Sequence, residues 1–281
     1  MIVVAWILLA IQAAIVIASL LGYGIFTSRP DLLVRFDPQA KFFGWAFHGF
    51  AVGNMLFGGL AVCAAALGHD KQRALWAILA VYAVSLGMEL LGTTYGIPFG
   101  AYSYTSLLGV KWFDRVPVLI PLSWFTVSWA CWLLARRVTG GLAAVLFSTC
   151  LLVAWDLLLD PAMSRVTSYW VWGETGVYYG MPLMNLAGWG VTGLLLLYLI
   201  SRLLPAPQGD TRFAAWVYLV NFALPFGFCV LNRYWFAALI GPLSIALAYG
   251  VFAKLRRARD FSTTHLGAAG QAAGLWSQRR E

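Results

Sequence analysis

Eight stretches of about 18 or more predominantly apolar residues divide the chain, at roughly 2–26, 43–67, 74–92, 118–135, 141–160, 185–204, 213–231 and 234–253. A helix of that length crosses the hydrocarbon of a bilayer, and a chain in hydrocarbon must satisfy its own backbone hydrogen bonds. The expected fold is therefore an all-α, polytopic integral membrane bundle of about 8 transmembrane helices. Hydrophobic residues make up 61% of the 281 and charged ones 11%, which excludes a soluble domain. The first run has no basic residues before it and no small-x-small cleavage pattern, so it is read as a retained helix. Cys63, Cys131, Cys150 and Cys229 sit singly within apolar runs, without metal-type spacing, and read as small buried hydrophobes.

The formal charge of +8 would suit nucleic acid if it were clustered, but its distribution follows topology. With eight spans both termini share a side. That side receives 12 of the 19 Lys and Arg, six of them after the last span, and the other side receives 7. The positive-inside bias then puts both termini in the cytoplasm, in the cytoplasmic (inner) membrane of a prokaryote, and no nucleic-acid partner is expected. Residues 1–254 read as one transmembrane domain with a motif core at 85–190, and 255–281 as a basic, disordered cytoplasmic tail.

Polar residues inside the spans carry the functional information. An ionisable group in a membrane helix costs about 2.5–3.5 kcal/mol even on insertion scales, so retained acids mark function. Glu89 lies near the end of the third span; Asp156 and Asp160 end the fifth, one helical turn apart, before Pro161 stops the helix or sharpens its exit. The third and fifth spans run in the same direction. At about 1.5 Å per residue, Glu89 is roughly 24 Å along from Arg73 and Asp156 roughly 22 Å along from Gly141, so the acids arrive at one depth. Asn185 enters from that same side. His48 and Asn54, in the second span, are either interhelical hydrogen-bonding groups or holders of a water beside an acid. The stretch 95–104 is too rich in Gly and Pro for a regular element and must be buried or line a cavity. Its Tyr102 and Tyr104, with Trp112, also suit an interfacial aromatic belt.

Desolvation and a like charge nearby both favour the neutral form of a carboxyl group, and a neutral carboxyl is a proton donor. Aromatic faces such as Trp155, Trp124, Trp172 and Trp189 can stabilise a cation through their quadrupoles. An apolar, aromatic, acid-bearing pocket suits protonation of an alkene. Intramembrane acids also serve channels and pumps, so on these grounds an enzyme and a transporter both fit.

Six pieces extend the reading: Glu89-Leu-Leu-Gly92, Gly96-Ile-Pro-Phe-Gly-Ala-Tyr-Ser-Tyr104, Pro117-Val-Leu-Ile-Pro-Leu-Ser-Trp124, Ala154-Trp-Asp-Leu-Leu-Leu-Asp-Pro-Ala-Met163, Trp170-Val-Trp172, and Tyr179-Gly-Met-Pro-Leu-Met-Asn185 with Gly188-Trp189. In this order they resemble the CruF-type carotenoid 1',2'-hydratases, integral-membrane carotenoid biosynthesis proteins. The resemblance implies addition of water to the terminal double bond of an acyclic (psi) carotenoid end group, as in lycopene or gamma-carotene, giving a tertiary alcohol with no redox cofactor or metal. Asp156 or Asp160 would be the acid and Glu89 its partner or water-holder. Trp155, Trp124, Trp172, Tyr102, Tyr104, Tyr179, Asn185, Trp189, His48 and Asn54 would contact substrate or support the acids. Membrane lipid and a complex with other carotenoid enzymes are the expected partners.

Rival readings differ in chemistry. A membrane lycopene cyclase would form a related carbocation and lose a proton; a paired-glutamate motif is expected there and no Glu-Glu pair occurs. An intramembrane prenyltransferase would carry two aspartate-rich motifs, and Asp156-x-x-x-Asp160 supplies one. A transporter or a carotenoid-binding protein needs no catalytic acid at all.

Overall fold

The computed structural model describes residues 1–39, 41–204 and 210–278, with side chains described through Arg257. Among these, eight helices are long and apolar enough to cross a membrane: α1 (Ile2–Ser28), α3 (Lys41–Leu67), α4 (Lys71–Tyr95), α5 (Leu119–Val138), α6 (Gly141–Asp160), α7 (Leu183–Leu203), α8 (Thr211–Leu231) and α9 (Trp235–Gln278). They fall on the eight expected runs. The short α2 (Pro30–Phe36) fills the first loop, opened by a proline where the missing N–H costs nothing. Asp70 and Asp210 cap α4 and α8, each carboxylate accepting a first-turn backbone N–H.

The bundle is built around α5. Its tryptophans Trp124, Trp129 and Trp132 are buried, as are its polar Thr126 and Ser128, and it packs on α3, α4, α6, α7 and α8. Peripheral helices bury one stripe. In α1 that stripe is Ala5, Leu9, Gln12 and Val16, and residues such as Ile7, Ile17 and Leu21 face outward. An apolar outer surface is what a lipid-facing helix requires, because lipid tails exert no hydrophobic penalty on it.

α9 has helical backbone through Gln278. The expected disordered tail over 255–281 falls largely on residues whose side chains, or entire placement for 279–281, lie outside the described set.

At one end of the bundle the two long loops pair with each other. Tyr102–Tyr104 (β1) lies antiparallel to Trp170–Trp172 (β4), with Tyr102 opposite Trp172 and Tyr104 opposite Trp170. A smaller pair joins Lys111–Trp112 (β2) to Val116–Pro117 (β3). The Gly- and Pro-rich stretch thus contains a short strand, contrary to expectation. Pairing across the bundle end supplies the hydrogen bonds that irregular backbone at this depth would otherwise lack.

The regular α-helix of α6 ends at Asp160, immediately before Pro161, as expected. The chain continues through a wider turn, Pro161–Val166, in which the Thr167 N–H reaches back five residues to the Ala162 carbonyl. Proline has no N–H to offer the carbonyl four residues back, and that carbonyl, of Leu157, accepts instead from the Tyr178 hydroxyl at 2.7 Å.

Candidate active site

The last turns of α4 and α6, the first turns of α5 and α7, and the β1–β4 cover enclose one pocket. Glu89 and Asp160 both line it, and their side chains are 4% and 1% exposed. Rise per residue put Glu89 level with Asp156 and Asp160 one turn further along; of the two aspartates it is Asp160 that shares the cavity with Glu89.

Glu89 is held by three donors. The Trp124 indole N–H reaches Oε1 at 2.8 Å, while the Tyr102 and Tyr104 hydroxyls reach Oε2 at 2.5 and 2.9 Å. Strand alternation explains the pair of tyrosines: residues two apart in β1 project to the same face. Burial, and then the Glu89 charge, push both phenols well above the usual tyrosine range, so they remain donors.

Asp160 has different partners. Its Oδ1 accepts from the Trp170 indole N–H at 2.8 Å and its Oδ2 from the Asn185 amide. The same Asn185 nitrogen lies 3.2 Å from Asp156 Oδ2, so one amide at the start of α7 spans both aspartates. Asp156 is fully buried but stands behind Asp160, away from the pocket lining. Its Oδ1 has no hydrogen-bond partner among the described residues.

Aromatic rings complete the enclosure. Trp124 stacks on Trp189 with centroids 4.2 Å apart, and Trp155 meets Trp189 edge to face at 5.8 Å. Trp172 packs against Tyr102 at 5.4 Å, and its indole N–H, buried at the pocket, has no partner among the described residues. Two glycines make the close packing possible. A Cβ on Gly92 would come 2.7 Å from Phe99 and 2.9 Å from Tyr102, and one on Gly188 would come 2.5 Å from Phe99.

Of the residues singled out in the sequence, Glu89, Asp160, Asn185, Tyr102, Tyr104, Trp124, Trp155, Trp172 and Trp189 meet at this pocket. Tyr179 does not. It sits at φ 52° in the 176–181 turn, packs on Tyr234 at 4.9 Å, and its hydroxyl accepts from the Ala237 N–H in the first turn of α9. His48 is absent from the lining as well. It lies off the face of α3 on which Phe47, Ala51, Asn54 and Met55 recur at helical spacing. Asn54 belongs to an adjoining cavity and accepts from Gln12. Trp112 is exposed and donates to Tyr82, in keeping with a belt residue.

Trp170 was passed over as a site residue, although Trp170-Val-Trp172 carries the signal: in a strand, two tryptophans two apart share a face. Gln12 and Asn221 were missed too, since their partners lie 42 and 209 residues from Gln12.

Comparison with known proteins adds identity to this geometry. The chain is 31% identical over 135 residues to a protein of Haloarcula japonica named bisanhydrobacterioruberin hydratase, an alignment covering 46% of this chain and 45% of that relative. The chain therefore aligns with less than half of that protein's length. No solved structure matches it. The family model described as carotenoid biosynthesis protein matches residues 38–248, which include every residue of the acid pocket, and the chain belongs to that family.

Proposed function

We propose that the chain is a carotenoid hydratase that adds water across the 1',2' double bond of an acyclic end group. The observation that carries this reading is the placement of two carboxyl groups with different hydrogen-bond partners in one aromatic pocket. Asp160 acts as general acid. It passes its proton to C-2', where the π electron pair of the double bond forms the new C–H bond, and a tertiary cation is left at C-1' with the C-1'–C-2' single bond intact. The faces of Trp124, Trp155 and Trp189 shield that cation and stabilise it, while the pocket limits water to what it can hold. A water beside Glu89, with the unpartnered Trp172 N–H within the same pocket, attacks C-1' through its oxygen, and Glu89 takes the proton released. Proton exchange between Glu89 and Asp160 restores the starting state. The net change is one water added, with no electron transferred.

Asn185 orients Asp160, and Asp156 acts through Asn185. The hydratase name of the Haloarcula japonica relative supports the reaction class. Cytoplasmic termini, and assembly with other carotenoid enzymes, belong to this proposal as well.

The test is pigment analysis by liquid chromatography and mass spectrometry in a lycopene-producing bacterial host with and without the gene. A product heavier by one water per reacted end, with the polyene absorption unchanged, is the expected result. An isomer of unchanged mass with a shortened chromophore would mean cyclisation and refute hydration.

A further inference from the structure

A second cavity adjoins the acid pocket, walled by α1, α3, α5, α6 and α8. Ile120, Ser123, Trp155, Leu159 and Trp170 line both spaces, so each of these residues stands between the acid pocket and the neighbouring cavity. The rest of its wall is mainly aromatic and aliphatic, with Phe47, Met55, Leu224 and Phe228 among its residues.

On one side of this cavity stands α1, which contributes Ser19 to its lining and precedes the matched residues 38–248. Gln12 is the polar member of its buried stripe. The Gln12 Nε2 donates to Asn54 Oδ1 on α3 at 3.1 Å and lies 3.3 Å from Asn221 Oδ1 on α8. Both asparagines line the cavity. Amide pairs between membrane helices favour association because the alternative partner in hydrocarbon is none; here one amide ties α1 to two helices. Trp155 continues the connection, its indole N–H donating to the Asn221 carbonyl at 2.9 Å.

An acyclic carotenoid is far longer than an acid pocket closed by aromatic rings. When its end group lies between Glu89 and Asp160, the rest of the molecule needs a continuous apolar way out, since an apolar chain gains about 25 cal/mol for each Å² kept from water. The exposed groove on α4 around Met88 and Leu91 has no residue in common with the acid pocket. The cavity beneath α1 shares five.

We propose that this second cavity seats the stretch of isoprenoid chain next to the reacting end, and that α1, held by Gln12, is the wall past which the chain reaches it from the lipid. This rests on the hydratase reading of the acid pocket.

The experiment uses the full chain, purified in lipid nanodiscs and loaded with lycopene. Retained pigment is the protein-held fraction, read after gel filtration from the circular dichroism induced in the polyene band relative to protein-free discs carrying the same lycopene, and turnover is followed separately. Ala51→Trp and Met55→Trp fill the cavity; Asp160→Asn leaves it open and disables the acid. Wild type and Asp160→Asn are expected to retain pigment, and the two filling variants to retain at least ten-fold less at an unchanged elution volume and unfolding temperature. Of the two, whichever keeps the wild-type unfolding temperature decides the test. Retention and turnover at wild-type levels in a folded filling variant would overturn the seat. A wild type that holds no pigment would overturn both the seat and the hydratase reading. Pigment held by wild type, lost in the filling variants and never hydrated would sustain the seat and remove hydration.

Discussion

Gly92→Ala tests the acid pocket through a methyl group that touches no carboxylate. Gly92 lies three residues beyond Glu89 on α4, and an added Cβ would stand 2.9 Å from both the Tyr102 hydroxyl and its Cε1, and 2.7 Å from Phe99. Carbon atoms essentially never approach so closely, and Phe99 is itself buried, so the Tyr102 ring must move. Its bond to Glu89 Oε2 is then stretched or lost. A hydrogen bond to a charged group contributes about 1.5–3 kcal/mol, which corresponds to about 10- to 150-fold in rate if the bond is needed in the transition state. Overpacking adds a stability cost of about 1–3 kcal/mol. The assay is initial hydration rate in isolated membranes, beside the unfolding temperature of the purified protein. Tyr102→Phe is the companion variant, removing the hydroxyl without the push. Both should lose rate to a similar degree, and Gly92→Ala should lose more stability. A full rate in Tyr102→Phe would refute the assignment of Tyr102 as a positioning residue for Glu89.

Asp160→Asn should reduce hydration by about 10²–10⁴-fold, the usual contribution of a general acid, whereas Asp156→Asn, acting through Asn185, should cost about ten-fold; the two rates reversed would exchange their roles. Tyr102 and Tyr104 have their phenol pKa raised on folding, so their contribution to stability is whole below the unfolded value of about 10 and is lost as pH climbs from there towards the folded one. The unfolding temperature should therefore fall above about pH 10, less steeply in Tyr104→Phe, and a profile identical in the two proteins would contradict this. Gln12→Leu should lower stability by about 0.6–1.7 kcal/mol, the range for hydrogen bonds between membrane helices, as measured by unfolding in mixed micelles with increasing denaturing detergent.

The spans were legible because hydrocarbon imposes a single rule on length and polarity, and Glu89 and Asp160 because buried acids are costly. Helical rise then put Glu89 level with Asp156, and Asp160 one turn further along, without knowledge of the packing. The partners of these acids were harder to read. The β1–β4 pairing joins two three-residue strands 66 residues or more apart, too short to show a period. Tyr179 follows the same Tyr-Gly-x-Pro pattern as Tyr95, yet the local turn, and not the motif, decides where its ring points. His48 differs from Phe47 by one residue, about 100° around a helix, and that angle takes it out of the cavity lining. Gln12 has only apolar neighbours in the sequence to mark it, because its two partners come from α3 and α8.

Glu89, Asp160 and Asn185 all sit at the same end of the bundle, under the β1–β4 cover. The hydrocarbon of a bilayer is about 30 Å thick, and a carotenoid lying across it has an end near each face. If the proposed hydration takes place in this pocket, it serves one face. A symmetrical acyclic carotenoid treated at both ends must therefore leave after the first hydration and return inverted, and its first hydroxyl, anchored at the polar surface, opposes that reversal. The singly hydrated compound should accumulate before the doubly hydrated one, so the location of the acids in the bundle governs the order in which products appear.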